Sequence, residues 1–434
     1  MTGATPLFRQ PRGVKFVDGK VFPALPILNG SEGLGAAPVV RAVAMTLAVQ
    51  ALTSMALAVP AVLAPVAAGD FGEAPTAVGR WVGFSYTAAM FAGLASGTLV
   101  GRHGAVRVLQ AAVLGVALGL AVGALTHVAS LLVCGALLGA AHGLVNPASS
   151  AILAAAAPVR VRSMIFSIKQ TGVPVGGAVA GMLVPVMLLW TSWQYAVLAL
   201  ALAAAAFIAV LVPFRRVYDS DRGLGERLHL RRFAAPVAEV WADRRILELA
   251  LVSGVYSAVQ ISFITYLVSY FKLELGYSLV AAGLMFSAAQ IAGVLGRVLW
   301  GAVADRVFEP RRVLATLGLT MALCGVAAAL FTAGWPLAAV VAVCALYGAT
   351  AVGWNGVFLA EVARLAPEGR VAVVTGGTQF FTFAGVLIGP PVFGAIAAAT
   401  GSYSTGFVLI AALPLAAGIG LLASGGRSSV GGRP

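Results

Sequence analysis

Two cations lie where cations are costly. Arg297, in the stretch GRVLWGAVADR, sits inside a long apolar run, four residues before Gly301 and eight before Asp305. Lys169, in FSIKQTGVPVGG, sits inside another. Moving a guanidinium into hydrocarbon costs roughly 3 to more than 10 kcal/mol, so such a side chain usually faces a partner or a water-filled path. Two like charges facing one cavity repel each other unless an anion or a carboxylate lies between them. The deep apolar runs offer no obvious acid. Glu248 and Glu361 fall near the ends that carry basic loops, and Asp70, Glu73 and Glu274 near the opposite ends. The simplest missing partner is an anion, and arginine's planar fork suits a carboxylate. Two other roles stay open: Arg297 pairs with Asp305 or caps carbonyls at a gate, and Lys169 reaches toward headgroups along its apolar stem.

The elements that hold these residues follow from composition. The 434 residues are 60% hydrophobic and 10% charged, against about 25% charged in a soluble domain. Mean hydropathy is +0.97. About twelve runs are long enough to cross a bilayer as helices. They start near Val40, Val78, Ala105, Ala129, Met164, Trp193, Ile246, Leu279, Val313, Leu337, Ala372 and Tyr403. The expected class is an all-α membrane protein of two pseudo-symmetric six-helix bundles. Its expected parts are a tail (1–37), a first bundle (38–213), a linker (214–245), a second bundle (246–424) and a second tail (425–434).

Lys and Arg collect in the first tail and the even-numbered connections, with Arg80 and Lys272 as exceptions. The positive-inside rule then places both termini and the linker in the cytoplasm, with the protein in the inner membrane. The net charge of +13 reads as topology and attraction to anionic headgroups, not nucleic-acid binding, because the cations are spread over short loops. No compact apolar leader precedes the first run. Cys134, Cys324 and Cys344 fall inside expected helices and read as packing residues.

The halves repeat. NPASSAILAAAAPVR from Asn146 resembles NGVFLAEVARLAPEGR from Asn355, and the same offset pairs Gly139 with Gly348, Pro158 with Pro367, Gln170 with Gln379 and Gly176 with Gly385. GTLVGRHGAVR from Gly97 matches GAVADRVFEPRR from Gly301. Such duplicated halves imply two bundles around a central path with a site near the midplane. On these residues the chain resembles the major facilitator superfamily. That family carries a Gly-x-x-x-Asp-Arg-x-Gly-Arg-Arg-like loop between its second and third helices and again between its eighth and ninth. The second copy here keeps Gly301, Asp305, Arg306, Arg311 and Arg312; the first keeps Gly97, Arg102, Gly104 and Arg107, with Gly101 in place of the aspartate. The resemblance implies that Asp305, Arg306, Arg102 and Arg107 latch the halves, with Asp305 the main acid.

The surroundings of Arg297 are also similar to the eighth helix of oxalate:formate antiporters and monocarboxylate transporters, where the corresponding arginine contacts a substrate carboxylate. The antiporter's second cation falls at Thr378 in this chain. SIKQTGVPVGG is similar to stretches of cyanate-permease-like carriers. The expected function is secondary active transport of a small organic anion, with a monocarboxylate as one case, by alternating access. Arg297 and Lys169 supply charge; Gln170, Gln379, Asn355 and Tyr256 supply hydrogen bonds and lining. Glutamines in helices also serve as interhelical glue, aromatics as packing, and His142 reads first as a satisfied core histidine. The alternatives are an efflux carrier for a neutral or cationic drug-like compound, which a deep acid would favour, and a non-transporting membrane sensor. No enzyme, cofactor or metal is expected, since no nucleophile, acid pair or nucleotide loop gathers in one place. The expected partners are the lipid bilayer and a small anionic molecule, with the chain as a monomer.

Overall fold

A computed structural model describes residues 14–17, 20–23, 36–156, 158, 162–219, 234–332, 334–367 and 370–428. Readings of Arg160, of the middle of the linker and of the outermost tails lie outside these. The first tail contains a hairpin, strand β1 (Val14–Val17) against β2 (Lys20–Pro23), antiparallel with Val14 opposite Pro23. Asp18-Gly19 separates the strands in sequence, a dipeptide suited to a two-residue hairpin connection. The earlier reading of the segment as a plain tail missed it.

Sixteen helices are described. The first bundle holds α1 (Ala36–Ala67), α2 (Val78–His103), α3 (Ala105–Gly123), α4 (Val128–Ala156), α5 (Arg162–Gln170), α6 (Gly172–Met187) and α7 (Trp193–Leu211). Short α8 (Arg215–Tyr218) and α9 (Ala234–Ala242) belong to the linker. The second bundle holds α10 (Arg244–Ser269), α11 (Leu279–Arg306), α12 (Pro310–Ala329), α13 (Leu337–Ala351), α14 (Asn355–Leu365), α15 (Val371–Thr400) and α16 (Tyr403–Ser428). Helices α5 and α6 together make the fifth span, and α13 and α14 the tenth. Among the described residues eleven spans are apolar and long enough to cross a membrane. The remaining one, α2, has 26 residues. Length suits it to cross too, since about 20 residues suffice, but Arg80, Arg102 and His103 lower its apolarity. The chain is thus a multi-pass membrane protein of twelve helical spans.

All even-numbered connections lie at one end of the bundle, here the termini end, and the odd ones at the far end. Helix starts have local causes. Asp243 accepts from the Arg245 and Ile246 amides at the head of α10, and Ser278 from the Ala281 amide at the head of α11, both satisfying orphan helix donors. Pro310 opens α12, where a missing N–H costs nothing.

The repeat seen in sequence performs the same task twice. A side chain at Gly139 would meet the Ser85 carbonyl of α2, and one at its twin Gly348 would meet the Ala289 carbonyl of α11. A side chain at Gly176 would meet the Ala51 carbonyl of α1, and one at its twin Gly385 would meet the Gly254 carbonyl of α10. Small residues let backbones approach, which is how helices bind one another when lipid supplies little hydrophobic drive. The three cysteines are buried and unpaired.

Candidate functional site

The fifth span breaks beside Lys169. Helix α5 ends at Gln170 and α6 begins at Gly172. Pro174 lies four residues after Gln170, so it has no N–H to give to the Gln170 carbonyl. That orphan carbonyl accepts from Arg297 Nη1 at 2.9 Å. The tenth span breaks likewise between Ala351 and Asn355. There the Val352 carbonyl accepts from Arg297 Nε at 3.0 Å. Arg297 on α11 therefore fills two interruptions, one in each half. A guanidinium has five N–H donors. These bonds use two, and the other three have no protein acceptor among the described residues.

Lys169 is 3% exposed. Its ammonium donates to Gln50 Oε1 at 2.7 Å, to Asn146 Oδ1, and to Gln170 Oε1 at a longer 3.4 Å. Gln50 in turn donates to Ser54 at 3.2 Å. The side chain points into the first bundle, which corrects the snorkelling alternative. Arg297 likewise holds carbonyls rather than Asp305. Both cations meet at Gln170, one on its side chain and one on its backbone, and among the described residues all their hydrogen-bond partners are neutral oxygens.

The other expected residues distribute differently. Asn355 is half-buried and sits three residues after Val352, close in sequence to an Arg297 acceptor. Gln379 is half-buried on α15, which packs on α10 and α2, and it is not among the hydrogen-bond partners of either cation. Its neighbour Thr378, the twin of Lys169, is fully buried and bonds to the Thr375 carbonyl. Tyr256 is fully buried; its hydroxyl donates to the Leu314 carbonyl at 2.7 Å, and its ring stands edge-on to Trp354. In this conformation it packs the second bundle.

Asp305, Arg306, Arg102 and Arg107 are all exposed at the termini end. Asp305 makes no ion pair among the described residues. The halves are joined from mid-bundle to the far end instead. Ser287 donates to the Ala178 carbonyl at 2.8 Å, and the Tyr266 hydroxyl lies 2.9 Å from the carbonyls of Thr76 and Pro390. Near Gly101, which lacks the expected acid, Asp219 accepts from the Val106 and Arg107 amides at 2.8 and 3.2 Å. A carboxylate from after the sixth span thus caps α3, a contact that sequence reading missed. In the second half Arg311 on α12 binds Glu248 and Ser424.

Sequence reading also undervalued a small central cavity of about 60 Å³. Ser54, Tyr86, His142, Gly177, Gln260, Thr265 and Gln290 border it, from both halves. A larger pocket of about 330 Å³ near the far end, with Trp81, Phe84 and Trp193 in its wall, holds neither cation.

Comparison with known proteins agrees with this architecture. The model of the Major Facilitator Superfamily matches residues 46–390, and the chain belongs to that family. Monocarboxylate transporter 13 of Rattus norvegicus is 32% identical over 149 residues, 34% of each chain. "Probable nitrate/nitrite transporter NarK2" of Mycobacterium tuberculosis is 31% identical over 252 residues, 56% of this chain and 60% of its own. The chain thus spans about a third and three fifths of the lengths of these relatives. A crystal structure of the peptide transporter POT in complex with sulfate superposes with a TM-score of 0.70, covering 89% of this chain and 94% of that one at 16% identity. That likeness concerns the fold.

Proposed function

We propose that this chain is a secondary transporter of a small organic anion, working by alternating access of its two six-helix halves. One observation carries the reading: Lys169 and Arg297, from opposite halves, converge on Gln170 with neutral oxygens as their protein partners. An arriving carboxylate would take the free N–H donors of Arg297. It would also replace the long Gln170 contact of Lys169, adding charge-assisted bonds that neutral oxygens do not offer. A cationic drug would be repelled at the same place. The names of the relatives, for monocarboxylate and for nitrate and nitrite, support an anion. Asn355 completes the binding region beside Val352, and Gln379 joins it only in another conformation. The bundles 38–213 and 246–424 are the moving bodies, Asp305 and the arginines at 102, 107 and 306 their gate. Both termini face the cytoplasm of the inner membrane, so a cysteine placed at Gly223 labels only from that side.

The experiment is a thermal-shift screen of the purified chain against carboxylates, nitrate and neutral analogues. A ligand that binds the native state raises its apparent stability. Stabilisation by anions alone, lost in Arg297→Gln, is the expected result; equal stabilisation by neutral compounds would reject the reading.

A further inference from the structure

The central cavity holds two buried polar atoms without a partner. Gln290 on α11 is 3% exposed, and its Oε1 has no hydrogen-bond partner among the described residues. His142 Nδ1 on α4 is in the same condition. Both residues border the same cavity and they come from opposite halves. Leaving such groups unmet is costly, so a site that keeps two facing one space is shaped for something that satisfies both. Gly177 contributes to the arrangement, because a side chain there would strike the Gln290 amide nitrogen. Its bareness lets the amide lie against α6 beside the cavity.

Position relates this cavity to the charges. Gln290 precedes Arg297 by seven residues on α11, close to two turns, so it lies on the same face about 10 Å farther from the termini end. His142 precedes Asn146, a partner of Lys169, by one turn or about 6 Å. At about 60 Å³, where one water-sized probe needs about 10–15 Å³, the cavity has room for a hydroxymethyl group.

We infer that this cavity is a second subsite, which receives the hydroxyl at the far end of an organic anion whose charge rests at Arg297 and Lys169. The inference depends on the anion reading above. One hydroxyl meets both orphan atoms: it donates its proton to Gln290 Oε1 and accepts the Nδ1–H of His142. The separation of about 6 to 10 Å calls for an acid with charge and hydroxyl at opposite ends of a short chain. An acid carrying both on neighbouring carbons is too short, and a bare inorganic anion leaves the cavity unused. Since Gln290 and His142 belong to different halves, the hydroxyl would also tie the halves together around the bound substrate.

The test is isothermal titration of the purified full chain with hexanoate, 6-hydroxyhexanoate and nitrate. The hydroxy acid is expected to bind about tenfold to a hundredfold more tightly than hexanoate, because its hydroxyl satisfies the buried atoms that hexanoate leaves unmet. Gln290→Leu should collapse that preference toward one, and so should Gly177→Ala, which displaces the amide without removing it. Arg297→Gln should weaken both acids together. Equal binding of the two acids by the wild type would overturn the subsite. Binding of nitrate with neither organic acid would overturn both the subsite and the organic-anion reading, whereas equal binding of the two acids leaves that reading intact. Failure of all three probes to bind would overturn both.

Discussion

Arg297 and the Gln170 carbonyl form a bond of 2.9 Å between the two halves of the protein. A proline four residues on leaves that carbonyl free, and a guanidinium that would otherwise lack acceptors in the apolar layer takes it. The same side chain still presents donors without a protein partner. Its place is therefore structural and receptive at once.

For Arg297 the fork matters as well as the charge. Arg297→Lys keeps the cation but loses the planar donor pair and the two-carbonyl grip. Uptake of a carboxylate into proteoliposomes should fall clearly while the protein still inserts. Arg297→Gln should remove on the order of 2–5 kcal/mol of binding, as expected when one partner of a desolvated charge pair is cut. Full uptake by both variants would place the anion elsewhere.

Lys169 behaves differently from a bare cation. The structure shows three amide oxygens gathered on its ammonium. Lys169→Met should leave them competing for donors, at about 1–3 kcal/mol for each group left unmet. The variant should lose anion binding and also melt earlier in detergent than Arg297→Gln. Melting at the wild-type temperature would show that Gln50, Asn146 and Gln170 rearrange freely.

Pro174→Ala restores an N–H opposite the Gln170 carbonyl. The new intrahelical bond competes with Arg297 for the Gln170 carbonyl. A straighter fifth span and a looser joint to α11 are expected. Spin labels on α5 and α11 should report a broader distance distribution than in the wild type. An unchanged distribution would mean that Arg297 and Val352 hold the joint without Gln170.

Asp305 is exposed in the conformation joined at the far end. Its charge therefore matters to the opposite conformation, where the termini ends close. Asp305→Asn should raise the reactivity of cysteines placed near the termini end, since only one of the two states loses a partner. Gly101→Asp should do the reverse by adding an acid to the first loop. Equal reactivity in all three proteins would exclude this loop from gating.

Much of the fold was legible because a bilayer imposes length and apolarity. The helices begin within about four residues of the expected starts, from Val78 and Leu279, which coincide, to Val40 against Ala36. The aligned glycines were legible too, because tight helix contacts need them on both sides of the repeat. The partners were harder to read. Lys169 meets Gln50 across 119 positions of sequence, and Asp219 reaches the head of α3 across 113; no local pattern encodes either. Tyr256 was taken for a lining residue because its type fits a pocket, yet its hydroxyl serves a carbonyl on α12. His142 was read as satisfied, and the structure leaves its Nδ1 unmet. Pro174, four residues after Gln170, announces a free carbonyl beside Lys169.

The two acceptors that hold Arg297 are backbone atoms, and that bears on how this protein tolerates change. Any residue at 170 or 352 brings a carbonyl oxygen, so substitutions there preserve the joint as long as the helix breaks survive. What drift can damage is the pair of interruptions, above all the imino acid at 174. The arginine's anchorage is inherited through the shape of the main chain, and the neighbouring side chains are left free to follow the substrate.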